Sequence, residues 1–144
     1  MPFVKVWIHL IWSTKNREKI IDKNLKPKLI KHILDNAKVK SIYIDKVNCV
    51  NDHIHLIISL GNEQSLSKVT QLIKGESSYW INNNKLCKYK FEWQDEYIAL
   101  SISESVLNKV RKYIDEQDEH HKTKTFDEEY KLFIEKYGFN KFSG

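Results

Sequence analysis

The stretch Asn51–Leu60, NDHIHLIISL, decides how the rest of the chain is interpreted. Asn51 and Asp52 are typical turn residues, and the eight residues after them predict a β-strand. Side chains two residues apart in a strand point to the same face, about 6.5–7 Å apart. His53 and His55 therefore share one face. The other face carries Ile54, Leu56, Ile58 and Leu60 and is predicted to meet the hydrophobic core.

Strands and helices alternate on both sides of this strand. Residues 3–13, 40–50 and 91–103 have strand composition, the last with a break near Gln94–Asp95. Helical spacing of apolar residues, with Ser65, Ser103 or Ser105, and Thr125 as possible N-caps, predicts helices over 25–38, 65–84, 103–122 and 125–138. The order β-α-β-β-α-β-α-α predicts an α+β fold in which helices pack mainly on one face of an antiparallel sheet, ferredoxin-like in plan.

Length and charge limit the class of protein. The 144 residues suit a single domain over 1–144. The net charge of +5 fits a polyanionic partner, nucleic acid or a membrane surface, and an ordinary basic surface about equally well. The two cysteines have no zinc-knuckle or disulfide spacing. No apolar run approaches the roughly 20 residues of a membrane span, and no signal pattern opens the chain. We expect a cytoplasmic protein without membrane contact.

The histidine pair indicates a metal site, since two imidazoles on one strand face can lean toward a single ion. Two ordinary surface histidines are the simpler alternative, and a metal site needs a third ligand. Histidine-triad hydrolases require a third histidine where Ile57 stands, and two-histidine phosphoesterases require a second motif that His9 does not form. A zinc site with Cys49 is disfavoured because the Asn51–Asp52 turn separates it from the histidines.

Tyr113 and Gln117 lie four residues apart, on neighbouring turns of one predicted helix. Taken separately they would be a packing tyrosine and a surface glutamine. Together with His53 and His55 they suggest phosphodiester chemistry, in which a phenol attacks a phosphate that a divalent metal polarises. The Gln117 oxygen suits Mg²⁺ or Mn²⁺ as a third ligand. The product would be a phosphotyrosine, which favours strand transfer over hydrolysis.

These motifs together resemble the single-tyrosine HUH transposases, which comprise insertion-sequence single-strand DNA transposases and REP-associated tyrosine transposases. HUH denotes His–hydrophobic–His, here His53–Ile54–His55. The YIxxQ motif of that family is similar to residues 113–117, KGxSS to 74–78, IWSTKNR to 11–17 and FEWQDEY to 91–97. The likeness covers nearly the whole chain, and the combination of motifs in this order is specific.

The resemblance implies an HUH endonuclease version of the ferredoxin-like or RRM-like fold, with C-terminal helices from about residue 104 carrying the nucleophile Tyr113. It implies a homodimer that cleaves and rejoins single-stranded DNA at hairpin-bearing element ends through a 5′-phosphotyrosine, with Mg²⁺ or Mn²⁺ held by His53, His55 and Gln117. The residues expected to line DNA are Lys15, Asn16, Arg17, Lys74, Ser77 and Ser78. Trp12 or Trp93 could stack on unpaired bases or pack in the core.

Two other functions fit parts of the same pattern. A domesticated protein could bind single-stranded DNA or hairpins without transposition activity, although a pure binding protein has no use for the histidine–tyrosine–glutamine set. Relaxases and replication initiators also carry HUH motifs. Relaxases place the tyrosine before the histidines, and initiators usually carry additional domains that 144 residues cannot hold.

Overall fold

The computed structural model describes residues 2–119 and 124–136, apart from the side chains of residues 133 and 134. Its strands are β1 (Trp7–Ser13), β2 (Tyr43–Cys49), β3 (His53–Ser59) and β4 (Ile98–Ile102). Its helices are α1 (Leu25–Val39), α2 (Leu66–Asn83), α3 (Leu107–Asp115) and α4 (Phe126–Lys136), with short 3-10 turns at Lys15–Arg17 and Glu104–Val106. The predicted element order is confirmed.

The four strands form one antiparallel sheet in the order β2-β3-β1-β4, so β3 and β1 lie at its centre. The tight turn at residues 51–52 joins β2 to β3 as predicted. On β1, Ile11 lies opposite His55 and Leu10 lies opposite Leu56. This register aligns the two faces of the central strands, because side chains alternate in both.

One face of the sheet forms the main hydrophobic core, as the alternation in β3 predicts. Ile54, Leu56 and Ile58 are buried there against residues of α1 and α2 such as Leu29 and Ile73. Cys49 also lies in this core, where burial raises the pKa of its thiol to about 12. A zinc site that combines Cys49 with the histidines is therefore excluded, because the thiol is on the opposite face.

The histidine face of the sheet is covered by the two shorter helices. Leu107 and Ile114 of α3 pack on Trp7 and Ile57, and Phe126 of α4 packs beside β1 and β4 on Ile11 and Ile98. The antiparallel α+β fold is confirmed, and the two longest helices share one face as expected. Because α3 and α4 cover this face, the histidines are removed from the protein surface.

Several predicted boundaries differ from the observed ones. The first strand begins at Trp7, and residues 3–6 before it are exposed. The predicted helix 103–122 ends at Asp115, is interrupted by a turn at Glu116, and continues as helix over residues 117–119. Neither glycine nor proline marks this interruption in the sequence. The ends of the last two predicted helices, at 120–122 and 137–138, lie outside the described residues.

Helix capping follows the sequence in part. The Ser65 side chain accepts a hydrogen bond from the Lys68 backbone N–H, and the Thr125 hydroxyl accepts one from the Glu128 N–H. Ser103 occupies the N-cap position of the 3-10 turn Glu104–Val106 without a side-chain cap hydrogen bond, and its hydroxyl pairs with that of Ser105. Within the described residues, none of the helices is both long enough and apolar enough to cross a membrane.

Candidate metal and catalytic site

His53 begins β3 and is completely buried. Its Nδ1 lies 2.8 Å from Oδ1 of Asp52. Its Nε2 lies 3.2 Å from Oε1 of Gln117 and 3.3 Å from Oε2 of Glu129. Burial alone would lower the pKa of His53, but the hydrogen bonds with Asp52 and Glu129 raise it to about 9. The ring is thus held on one side and faces oxygen ligands on the other.

His55 is also completely buried, two residues further along the same face. Its Nδ1 lies 2.9 Å from Nε2 of His9. Its Nε2 lies 3.2 Å from Oε1 of Glu129, but this contact lacks hydrogen-bond geometry, so the buried nitrogen has no hydrogen-bond partner among residues 2–119 and 124–136. Burial lowers the pKa of His55, and burial together with the nearby His55 lowers that of His9 to about 3.

These side chains form a donor set that suits a divalent metal. Ligand atoms of His53, His55 and Glu129 all lie within 4.8 Å of one another. Nε2 of His55, which has no hydrogen-bond partner among the described residues, lies 3.2 Å from the Glu129 carboxylate in this group. Burial would raise the pKa of Glu129, but the two histidines hold it well below its usual range, so the carboxylate is ionised. Two imidazoles with carboxylate and amide oxygens form a mixed set that hard and borderline divalent ions accept.

Tyr113 projects from α3 into the same cluster. Its hydroxyl donates a hydrogen bond to Oε1 of Glu129, and its ring centroid lies 5.7 Å from that of His55. The turn at Glu116 brings the side chain of Gln117, which is buried, back beside His53. The structure therefore brings together all four predicted residues of the site, within a single chain.

Two residues of this cluster were not predicted. Glu129 was interpreted only as part of the N-terminal turn of the last helix, where Asp127, Glu128 and Glu129 are equally acidic. Their sequence does not tell which one points inward. His9 was considered only for a second histidine motif. Its one available signal was a polar side chain within an apolar strand, and its proximity to His55 depends on the strand register.

The basic turn after β1 lines a groove of about 350 Å³. Lys15 and Asn16 are exposed there, and positive φ angles of 57° and 53° at Asn16 and Arg17 bend the chain sharply. The Arg17 side chain is less available to DNA than those of Lys15 and Asn16, because its Nε lies 2.6 Å from Oδ1 of Asp127 and its guanidinium lies over the ring of Phe126. This contact links the predicted DNA-binding turn to α4.

The predicted KGESS surface of α2 lines a second groove, of about 590 Å³, through Lys74 and Ser78. Residues 92–95 lie between this groove and the first and contribute to both. Lys74 donates to the backbone oxygen of Asp95 at 2.9 Å. Ser77, in contrast, is completely buried, and its hydroxyl donates to the Ile73 oxygen and accepts from Trp93 Nε1. This placement argues against the predicted DNA contact of Ser77.

The aromatic side chains that are exposed are not the ones expected from the sequence. Trp12 and Trp93 are buried in the main core with their rings 5.9 Å apart, so both pack in the core, and only the edge of Trp93 borders the grooves. Tyr79, which the sequence did not single out, is 68% exposed and lines the larger groove. It is the better placed aromatic residue for stacking on a base.

Comparison with known proteins gives concordant results. A family model described as "Transposase IS200 like" matches residues 3–117. The ISDra2 transposase TnpA of Deinococcus radiodurans is 26% identical over 115 residues, which cover 76% of this chain and 81% of that protein.

Two solved structures share the fold. A crystal structure of a candidate transposase from Deinococcus radiodurans R1 superposes with a TM-score of 0.66 at 21% identity, covering 81% of this chain and 93% of that one. A REP-associated tyrosine transposase bound to a REP hairpin superposes with a TM-score of 0.61 at 14% identity, covering 84% and 72%. The family match ends before α4, so Glu129 lies outside the matched residues.

Proposed function

The chain belongs to the IS200-like transposase family, and from this premise we propose that it cleaves and rejoins single-stranded DNA at hairpin-bearing element ends through a 5′-phosphotyrosine. The observation that carries the proposal is the convergence of the Tyr113 hydroxyl with two buried histidines, a glutamine and a carboxylate around one point. A binding protein that does no chemistry has no need to bury such a set.

The chemistry assigned to the chain's own residues is a transesterification. The Tyr113 oxygen loses its proton and attacks phosphorus, the bond to the 3′ oxygen breaks, and that oxygen takes up a proton to leave as a free 3′-OH while the 5′ phosphate remains on the tyrosine. The hydrogen bond to Oε1 of Glu129 orients the Tyr113 hydroxyl, and solvent water takes the phenol proton and supplies the proton of the 3′-OH. Attack by a 3′-OH on the phosphotyrosine reverses the step and joins the strands.

His53, His55 and Glu129 would hold Mg²⁺ or Mn²⁺, with Gln117 as a further oxygen ligand. When bound, the ion would polarise the scissile phosphate and stabilise the charge that develops on it. His53 and Asp52 together form the carboxylate–histidine pair that often orients a metal ligand.

We infer that the DNA partner lies along the two grooves that meet at residues 92–95. Exposed Lys15, half-buried Lys74 and the exposed ring of Tyr79 supply phosphate and base contacts, and the net charge of +5 supplies general attraction. The structural relative bound to a REP hairpin supports a hairpin as the DNA form that is recognised.

We also infer a homodimer, on the family resemblance stated above. Light scattering should then give a mass of twice 17.2 kDa. Because Tyr113 lies against His55 of its own chain, we expect each site to be complete within one protomer. Mixing His55→Ala and Tyr113→Phe proteins should therefore restore no cleavage, and restored cleavage would show that the tyrosine is shared between protomers.

The proposal is tested by incubating the protein with labelled single-stranded oligonucleotides that carry a hairpin and flanking sequence, with Mn²⁺ or with a chelator. The expected product is a protein–DNA band that resists denaturant, joined through a 5′ phosphate and absent with chelator. Tight hairpin binding without any nicking across a set of such oligonucleotides would favour the domesticated binding protein instead.

A further inference from the structure

We propose that His9 is a positioning residue for the metal site, which accepts a hydrogen bond from His55 and so fixes the ring nitrogen that His55 offers to the ion. The inference deepens the proposed function and rests on it. His9 lies in the middle of β1 and is only 5% exposed, and its Nε2 lies 2.9 Å from Nδ1 of His55.

The hydrogen bond has a direction that follows from the geometry of His55. A ring nitrogen binds a metal through its lone pair, so Nε2 of His55, which faces Glu129, must carry no hydrogen. The neutral ring then carries its hydrogen on Nδ1. That N–H points at Nε2 of His9, which must be the acceptor.

The strand register makes this contact possible. His9 lies opposite Ile57 in the β1–β3 ladder, and His55 lies two residues away on the same face, the diagonal position from which long side chains reach each other. The two rings lie 5.1 Å apart with an angle of 30° between their planes. An apolar residue at position 9 would fill the space but would leave the His55 N–H buried without an acceptor.

The two histidines of the motif therefore have different supports. Asp52 holds His53 through a carboxylate, whereas His9 holds His55 through a neutral imidazole. Asp52 and Glu129 already place two negative charges near the ion. A neutral acceptor orients the second ring without a further negative charge where the scissile phosphate has to approach.

The experiment compares Mn²⁺ binding to the free protein, followed by electron paramagnetic resonance, in wild type and three variants. His9→Leu fills the site without an acceptor, and His9→Gln restores an amide oxygen near the position of Nε2. His32→Leu is the matched control, since His32 stacks on Trp80 on the other side of the sheet. Thermal unfolding and hairpin binding verify the fold of each variant.

We expect His9→Leu to bind Mn²⁺ roughly 10- to 100-fold more weakly than wild type, the usual effect of losing a supporting partner. The Mn²⁺ affinity of His9→Gln should stay within about threefold of the wild-type value. The Mn²⁺ affinity of His32→Leu should equal the wild-type value. Excess Mn²⁺ should restore cleavage by His9→Leu. If His9→Leu does not fold, His9→Asn replaces it, because its shorter amide does not reach His55.

Wild-type affinity in His9→Leu, or equal losses in folded His9→Leu and His9→Gln, would overturn the positioning role and leave the proposed function intact. A wild-type protein that binds no Mn²⁺ at all would overturn the metal proposal and this inference with it. The two failures are therefore distinguishable.

Discussion

At the residue scale, Tyr113 differs from the other tyrosines within residues 2–119 and 124–136 by its contact with Glu129 and its distance to His55. Tyr113→Phe retains the ring and removes only the attacking oxygen. We expect it to fold with a loss of about 1 kcal/mol in the free energy of unfolding, from one hydrogen bond, and to bind hairpin DNA normally. It should form no covalent adduct in the denaturing gel assay.

Tyr130→Phe provides the matched control, because Tyr130 lies on α4 near Phe126 but outside the ligand cluster. Its adduct should form at the wild-type rate and map to the Tyr113 peptide. A covalent band that persists in Tyr113→Phe, or that maps to Tyr130, would assign the nucleophile to another side chain.

Glu129 is expected to contribute to metal affinity through its negative charge. Glu129→Gln keeps the shape of the side chain and removes the charge that faces His53 and His55. We expect its Mn²⁺ affinity to fall by roughly tenfold or more, measured by the same resonance titration, since a carboxylate is the stronger ligand for such ions. The neighbouring change Glu128→Gln removes an equal charge from an exposed side chain and should leave affinity unchanged. Equal affinities in both variants would remove Glu129 from the ligand set.

How much of the site is predictable also depends on the residue. His53 and His55 could be predicted because their spacing places both on one face of β3. Tyr113 and Gln117 were predicted from helical spacing, and they do meet at the site, although the turn at Glu116 separates them. Glu129 and His9 could not be predicted, because their contacts cross between elements and depend on helix orientation and strand register. Ser77 was predicted at the surface and is buried, since the motif to which it belongs does not reveal which side of α2 meets the core.

At the scale of elements, α4 is the helix that closes the site. His53 and His55 have no exposed surface while Phe126 packs on Ile11 and Ile98 and Arg17 pairs with Asp127. A phosphate cannot reach the histidines in this arrangement. We infer that α4 moves when the strand to be cleaved enters, which is the gating role that mobile elements commonly have in enzymes, and we therefore assign Glu129 to the ligand set of the free protein.

Hydrogen exchange followed by mass spectrometry checks this movement. Amides of residues 126–132 should exchange faster with a hairpin oligonucleotide that includes the strand to be cleaved than with the hairpin alone. Helix α2, at residues 66–83, is the internal control and should show no acceleration. Cleavage that proceeds while exchange in α4 stays unchanged would rule the movement out.

Element types were easier to predict than element ends. The alternation in β3 and the apolar spacing in α1 and α2 have clear periods, which burial enforces, so these elements were predicted correctly. The interruption at Glu116 has no glycine or proline to announce it. It results from packing, since the turn allows Gln117 to reach His53 while Ile114 of α3 remains buried against Trp7 and Ile57 of the sheet.

At the scale of the whole molecule, the excess positive charge predicts a salt-dependent affinity for DNA. If about four phosphates are neutralised, the affinity for a hairpin-bearing single strand should fall roughly 60-fold between about 50 and 200 mM salt.

Lys15→Ala should weaken binding and reduce the salt slope by about one, measured by fluorescence anisotropy. Lys31→Ala is the control, because Lys31 pairs with Asp35 on α1, away from both grooves.

A plain duplex of the same length should bind more weakly than the hairpin-bearing strand, because unpaired bases add stacking contacts. Equal affinity for the two forms, or an affinity that does not respond to salt, would contradict the assignment of the grooves.

Because core and site residues alternate along β3, a change in the length of this strand would affect the fold and the site together. Core residues and histidines occupy successive positions of one strand. A single codon gained or lost just before His53 that shifted the whole strand by one residue would turn both histidines toward the core and Ile54 and Leu56 toward α3 and α4. A protein with this change would lose the hydrophobic core together with the metal site. Descendants that keep the fold but no longer cut DNA should therefore arise by substitutions at the histidines or the tyrosine, and the length of β3 should stay constant among them.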